Sequence, residues 1–111
     1  MTVQQWNEDT LVVQLTDDPG LSEEMAEVSN RLRSGPCDVL LDMSDVRLLT
    51  SSGISKFLRL RKHMIEHHRR LILCSLQDTV WSVFLATGLD AIFEFTSTVT
   101  EALTRMQGGK A

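Results

Sequence analysis

Two short runs, Cys37 to Met43 (CDVLLDM) and Arg70 to Ser75 (RLILCS), constrain the fold most. Each is almost continuously apolar, so neither has a polar face to turn to water, and each reads as a strand covered on both sides. Strands of that kind belong to sheets with parallel neighbours and helical crossovers, and the segments around them supply the helices. Leu21, Met25, Val28 and Leu32 recur at helical spacing behind the breaker Asp17-Asp18-Pro19-Gly20, and Ser22 with Glu23 and Glu24 predicts an N-cap followed by first-turn acids. Ser34-Gly35-Pro36 ends that helix. A second helical pattern begins at Ser51-Ser52-Gly53 and continues through Ile54, Phe57, Leu58, Met64 and Ile65. In a third, Asp78 is the expected cap, Val80, Trp81, Phe84 and Leu85 share one side, and Thr87-Gly88 is the stop.

Val3 to Trp6 and Thr10 to Leu15 read as an opening hairpin turned by Asn7-Glu8-Asp9, Ile92 to Phe95 as a last strand, and Ser97 or Thr98 as the start of a closing helix. The order is β-β-α-β-α-β-α-β-α. It predicts an α/β fold with a mixed, mostly parallel sheet, an N-terminal hairpin and about four helices, whose strand ends converge on a rim that carries function. At 111 residues one domain over residues 1–111 is expected.

Composition narrows the function. With 42% hydrophobic and 23% charged residues the chain has the make-up of an ordinary globular domain, and no apolar run approaches the roughly 20 residues of a membrane helix. The first ten residues show neither a basic nor an apolar signal region, so a cytoplasmic location and no membrane insertion are expected. Cys37 and Cys74, without a C-x-x-C, read as buried small hydrophobes. The net charge is -4, yet Lys56 to Arg70 holds six Lys/Arg against one Glu, which leaves -9 for the rest. The acidic total, and the lack of aromatics interleaved with Arg59, Arg61, Lys62, His63, His67, His68, Arg69 and Arg70, argue against nucleic acid. That cluster reads instead as a solvated helix face or a dock for an acidic partner. His63 and His67 share a helix face but lack further ligands, so no metal or other cofactor is expected. Trp6, Trp81, Phe57, Phe84, Phe93 and Phe95 are expected to build the core.

Thr50-Ser51-Ser52-Gly53 gathers hydroxyls at a helix N-terminus, where free N–H groups favour negative charge, including a covalently attached phosphate. No G-x-S-x-G frame or general base accompanies Ser51, so the chain is not expected to be an enzyme.

The blocks VLLDMSDVRLLTSSGISKFLRL (residues 39–60) and VFLATGLDAIFEF (residues 83–95) together resemble the STAS family of bacterial anti-sigma-factor antagonists, over roughly residues 10 to 106. The resemblance implies a phosphorylation-controlled switch that binds an anti-sigma factor, itself a serine protein kinase, when unphosphorylated, and is restored by a metal-dependent serine phosphatase. Matched position by position it puts the phosphoacceptor at Ser51, with Thr50 as second choice, and assigns partner binding to Asp42, Thr50, Ser52, Gly53, Lys56, Thr87 and Gly88. Thr50 stands where the family usually has Asp, and Asp17-Asp18-Pro19-Gly20 replaces the usual Gly-Glu-Leu-Asp segment. The alternatives are a STAS subunit of a larger assembly, such as a lipid-transport ATPase or a stress-signalling complex, and a small-molecule or nucleotide sensor. A homodimer is compatible with all of these.

Overall fold

The computed structural model describes residues 3–108. In chain order the elements are β1 (Val3–Asn7), β2 (Thr10–Thr16), α1 (Gly20–Ser34), β3 (Asp38–Asp45), α2 (Ser51–Glu66), β4 (Leu71–Cys74), α3 (Asp78–Thr87), a 3₁₀ turn (Leu89–Ala91), β5 (Glu94–Thr96) and α4 (Val99–Gly108). The five strands lie side by side in sequence order. β1 is antiparallel to β2, and β2, β3, β4 and β5 run parallel. The two apolar runs are therefore adjacent inner strands, and Val39, Leu40, Leu41, Ile72, Leu73 and Cys74 are all fully buried.

Strand alternation sorts the core into two layers. Leu11, Val13, Leu15, Val39, Leu41, Met43 and Leu73 face α1, α2 and α3, which contribute Leu21, Met25, Val28, Leu32, Phe57, Leu60, Met64, Val80 and Phe84. On the other face Leu40, Ile72 and Cys74 pack against Ala102 and Met106 of α4. Three crossover helices on one side follow from the monotonic strand order, because right-handed connections stepping always in one direction stay on one face.

Several local expectations change. Ser22 does not cap α1: the helix begins at Gly20, and Asp18 Oδ1 instead accepts from the Ser22 N–H and hydroxyl. Glu24 is no surface acid. It is 7% exposed and accepts from the Thr16 N–H at 2.8 Å and from the Thr16 hydroxyl, which ties the first turn of α1 to the end of β2. Gly20 permits that approach, since a Cβ there would collide with the Thr16 hydroxyl. Asp78 does not cap α3 either, because the helix starts on it and Gln77 takes the cap position without a side-chain bond. Gly88 does end α3 in the left-handed conformation, φ 76°. Leu58, Ile65 and Leu85 point to solvent, and the inward stripe of α2 is Phe57, Leu60 and Met64. Ile92 lies outside β5 and is exposed. Trp6 is 53% exposed rather than core, because β1 is an edge strand with a register shift between Gln5 and Asn7, and α4 packs chiefly on β3, β4 and β5. The remaining aromatics cluster: Phe84 meets Phe93 and Phe95 edge-on, with centroids 5.8 and 5.3 Å apart, and Trp81 meets Phe95 at 5.0 Å.

The basic stretch also divides. Arg70 makes a bidentate pair with Glu94, Nε to Oε1 at 3.0 Å and a terminal nitrogen to Oε2 at 2.7 Å, and donates to the Arg105 carbonyl. The Glu94 hydrogen bond, opposed by burial, raises the Arg70 pKa above its already high ordinary value. Arg69 bonds the Asp9 carbonyl and Arg61 the Ile92 carbonyl, so these three cations join elements within the fold.

Candidate functional site

The loops after β2, β3 and β4 meet at one end of the sheet. Asp17, just beyond β2, uses one carboxylate oxygen to accept from the backbone N–H groups of Arg47 at 2.8 Å and Leu48 at 3.1 Å. From the start of α3, Gln77 donates to the Ser44 carbonyl at 2.7 Å and Thr79 to the Arg47 carbonyl at 3.1 Å. The segment between β3 and α2 has no regular structure, yet both flanking loops satisfy its backbone. The loop therefore presents the start of α2 in a defined place. Leu48 stands out from it at 70% exposure, a large apolar side chain beside the hydroxyl cluster.

At that helix start the roles of the hydroxyls separate. Thr50 has extended backbone and is the N-cap, its Oγ1 accepting from the Gly53 N–H at 3.2 Å. Ser51, the first helical residue, is exposed, and among the described residues no group hydrogen-bonds its hydroxyl. Ser52 is exposed too, and its Oγ accepts from Lys56 Nζ at 2.8 Å, one turn on. Gly53 is buried, and a side chain there would press on Leu49, whose Cδ1 lies 3.1 Å from where a Cβ would sit. This first turn is thus anchored below by Gly53 and open above at Ser51.

The other expected site residues lie elsewhere. Asp42 does not close β3, which runs on to Asp45; by alternation it shares the α4 face with Leu40 and pairs in register with Cys74 of β4, while α2 packs on the opposite face. Its carboxylate accepts from the Ser44 N–H at 3.0 Å, stabilising the strand's exit. Burial pushes the Cys74 thiol up to about 11; a bond from Ser75 lowers it and the Asp42 charge adds to the rise. Thr87 and Gly88 end α3, which runs away from the Ser51 rim and leads through the 3₁₀ turn to the opposite end of the sheet, where β5 begins. The Thr87 hydroxyl is turned back on its own helix, donating to the Val83 carbonyl at 2.7 Å. The structure thus gathers Thr50, Ser51, Ser52, Gly53 and Lys56, and leaves Asp42, Thr87 and Gly88 apart. Asp17 was not singled out from the sequence as an organiser of this rim. An acid in a loop directly after a strand, two residues before a proline, was the available signal.

Among the described residues no group of three or more His, Cys, Asp or Glu side chains is placed to hold a metal. The rings of His63 and His67 stack with centroids 4.2 Å apart. Cys37 and Cys74 are free and buried. No helix among the described residues is long and apolar enough to cross a membrane.

Solved structures share this architecture. A candidate anti-sigma factor antagonist of Thermotoga maritima is 20% identical over 93% of this chain and 92% of its own, with a TM-score of 0.83. The anti-sigma factor antagonist SpoIIAA in its unphosphorylated form is 22% identical over 96% and 95%, TM-score 0.82. SpoIIAA of Bacillus in its phosphorylated form is 21% identical over 93% and 96%, TM-score 0.73. These likenesses establish a common fold. The STAS domain family profile matches residues 3–102, which is nearly the whole chain, and with a sheet and helices arranged as in those structures the chain belongs to the STAS domain family.

Proposed function

We propose that this protein is a non-enzymatic interaction switch, an anti-sigma-factor antagonist that binds a serine kinase serving as anti-sigma factor while Ser51 is unmodified, and lets go when Ser51 carries a phosphate. The observation that carries this reading is the division of labour at α2, where Thr50 makes the cap and the neighbouring Ser51 hydroxyl is exposed and uncommitted. A capping hydroxyl is held by the helix, and modifying it would cost the cap, about 1 kcal/mol. Modifying Ser51 costs no bond. That both phosphorylated and unphosphorylated forms of SpoIIAA have this fold supports a modification that leaves the sheet and helices intact.

The electrostatics are sufficient. A phosphoserine brings about -1.5 to -2 charges, and one carboxylate of a partner about 4 Å away would be repelled by roughly 6–8 kcal/mol at an effective dielectric near 20. A hundredfold loss of affinity needs only about 2.7 kcal/mol. Within the protein itself the charge is tolerated, because it sits on a helix N-terminus, a position worth up to about 2 kcal/mol for an anion. Leu48 would supply the apolar anchor of the docked state, and a metal-dependent serine phosphatase would reset the switch.

Incubation with a cognate kinase and ATP is expected to add one phosphate by intact mass. That phosphate should map to Ser51 and vanish in Ser51→Ala. Transfer to Thr50, or none, would overturn the reading and favour a STAS subunit that joins a larger assembly constitutively, the alternative consistent with Thr50 in place of an acid.

A further inference from the structure

Lys56 and Arg59 do not share the fate of Arg61, Arg69 and Arg70. They lie on the stripe of α2 that continues Ser52 at positions 56, 59 and 63, and this stripe faces α1 across a groove of about 390 Å³. The floor is apolar, formed by Met25, Leu32 and Leu60, and its rim carries Arg33 from α1 with Lys56 and Arg59 from α2. Not one acidic side chain lines it, in a chain with 15 Asp and Glu against 11 Lys and Arg. Glu27 of α1 is turned away and pairs with Arg31. Among the described residues Arg33 and Arg59 have no ion pair, and Lys56 bonds only the neutral Ser52 hydroxyl. At the far end His63 lines the groove, and its Nε2 is buried with no hydrogen-bond partner among the described residues.

We infer that this groove is a second docking site, independent of Ser51, for an acidic amphipathic helix of a protein partner. The charge distribution selects that occupant. An anionic headgroup would be met by cations converging on one point, whereas here they are spread along both walls of the groove, with Lys56 near the Ser51 rim, Arg59 three residues further along α2, and Arg33 of α1 towards the other end. From Lys56 to His63 α2 rises about 10 Å and from Ser22 to Arg33 α1 rises about 16 Å, two to three helical turns. Carboxylates three or four residues apart on an incoming helix would meet Lys56 and Arg59 on one side and Arg33 on the other, while its apolar edge would lie on Met25, Leu32 and Leu60. Because the floor is narrow and the rim charged, the contact is salt-sensitive.

The probe is a fluorescein-labelled peptide of about four helical turns, with leucines along one face and glutamates on both flanks, compared with the same peptide carrying lysines for the glutamates. Fluorescence anisotropy is expected to show saturable binding of the acidic peptide only, weakening several-fold between about 50 and 200 mM salt. Affinity should drop at least about tenfold in the double variant Lys56→Glu, Arg59→Glu, stay unchanged in Ser51→Ala, and be accompanied by NMR amide shifts along α1 and α2. The Ser51→Ala arm separates this site from the switch, and the peptide exchange reads the charge effect even if a protein variant misfolds. Equal binding of both peptides, shifts mapping away from α1 and α2, or binding of dodecanoate or anionic phospholipid vesicles in place of the acidic peptide would overturn the inference.

Discussion

A single hydroxyl decides how the start of α2 can be used. Two neighbouring residues, Thr50 and Ser51, carry the same functional group, but only Thr50 has the extended backbone of a cap and the bond to the Gly53 N–H. Thr50→Ala removes that bond and should lower stability by about 1 kcal/mol in urea unfolding, while phosphotransfer to Ser51 continues. A variant that keeps its stability but loses the phosphate would show that Thr50, not Ser51, is the acceptor. The motif itself was legible in the sequence, since hydroxyls before a helical pattern announce an N-terminus. Which hydroxyl caps was not, because that depends on the φ and ψ at which the incoming loop delivers the chain. The same limit explains Ser22 and Asp78, both good capping residues by type, each overtaken by where its loop joins the helix.

Between elements, the rim is built by polar side chains that reach from one loop to the next. Asp17 spans 30 positions to hold the Arg47 N–H and the next one along, and Gln77 and Thr79 reach back about as far. Asp17→Ala strips two backbone donors of their shared acceptor, a loss of about 1–3 kcal/mol where those donors stay shielded from water. Amide exchange at Arg47 and Leu48 should accelerate in that variant while β3 and β4 keep their protection. If exchange at the loop is unchanged, the loop is held by something other than Asp17. Helix faces were readable from periodicity wherever the register was unambiguous, as for Leu21, Met25, Val28 and Leu32, all of them buried. In α2 the apolar residues Leu58 and Ile65 diluted the pattern. The true stripe is Phe57, Leu60 and Met64, and only contact with the sheet picks it out.

Across the whole molecule the two faces of the sheet have different chemistry. On the α4 face, Cys74 is fully buried beside Asp42, with its thiol pushed up to about 11 from an ordinary 9.0. The folded state therefore holds this proton more tightly than the unfolded state does. Below pH 9 the shift has no effect on stability, and as pH rises from about 9 to 11 stability falls, by a total on the order of 2–3 kcal/mol. The chain contains no tyrosine, so no phenol titrates in that window. Urea unfolding at pH 8 and pH 10.5 should show a larger alkaline loss in the native protein than in Cys74→Ala. An equal loss in both would mean that the thiol's burial does not govern it.

What the sequence determined alone was the order of elements and which strands are central, because runs such as CDVLLDM and RLILCS have no face they can leave in water. It also marked the hydroxyl cluster, through residue types that favour a helix start. Only the tertiary structure decided that Asp42 turns to α4 while Ser51 opens on the other side, that Thr87 and Gly88 close the far end, that Trp6 is left outside, and that the basic stretch splits into internal clamps and a row along a groove. Those outcomes depend on which surfaces meet once the helices cross the sheet. Local spacing specifies the face a residue occupies within its own element, and long-range packing specifies what that face meets.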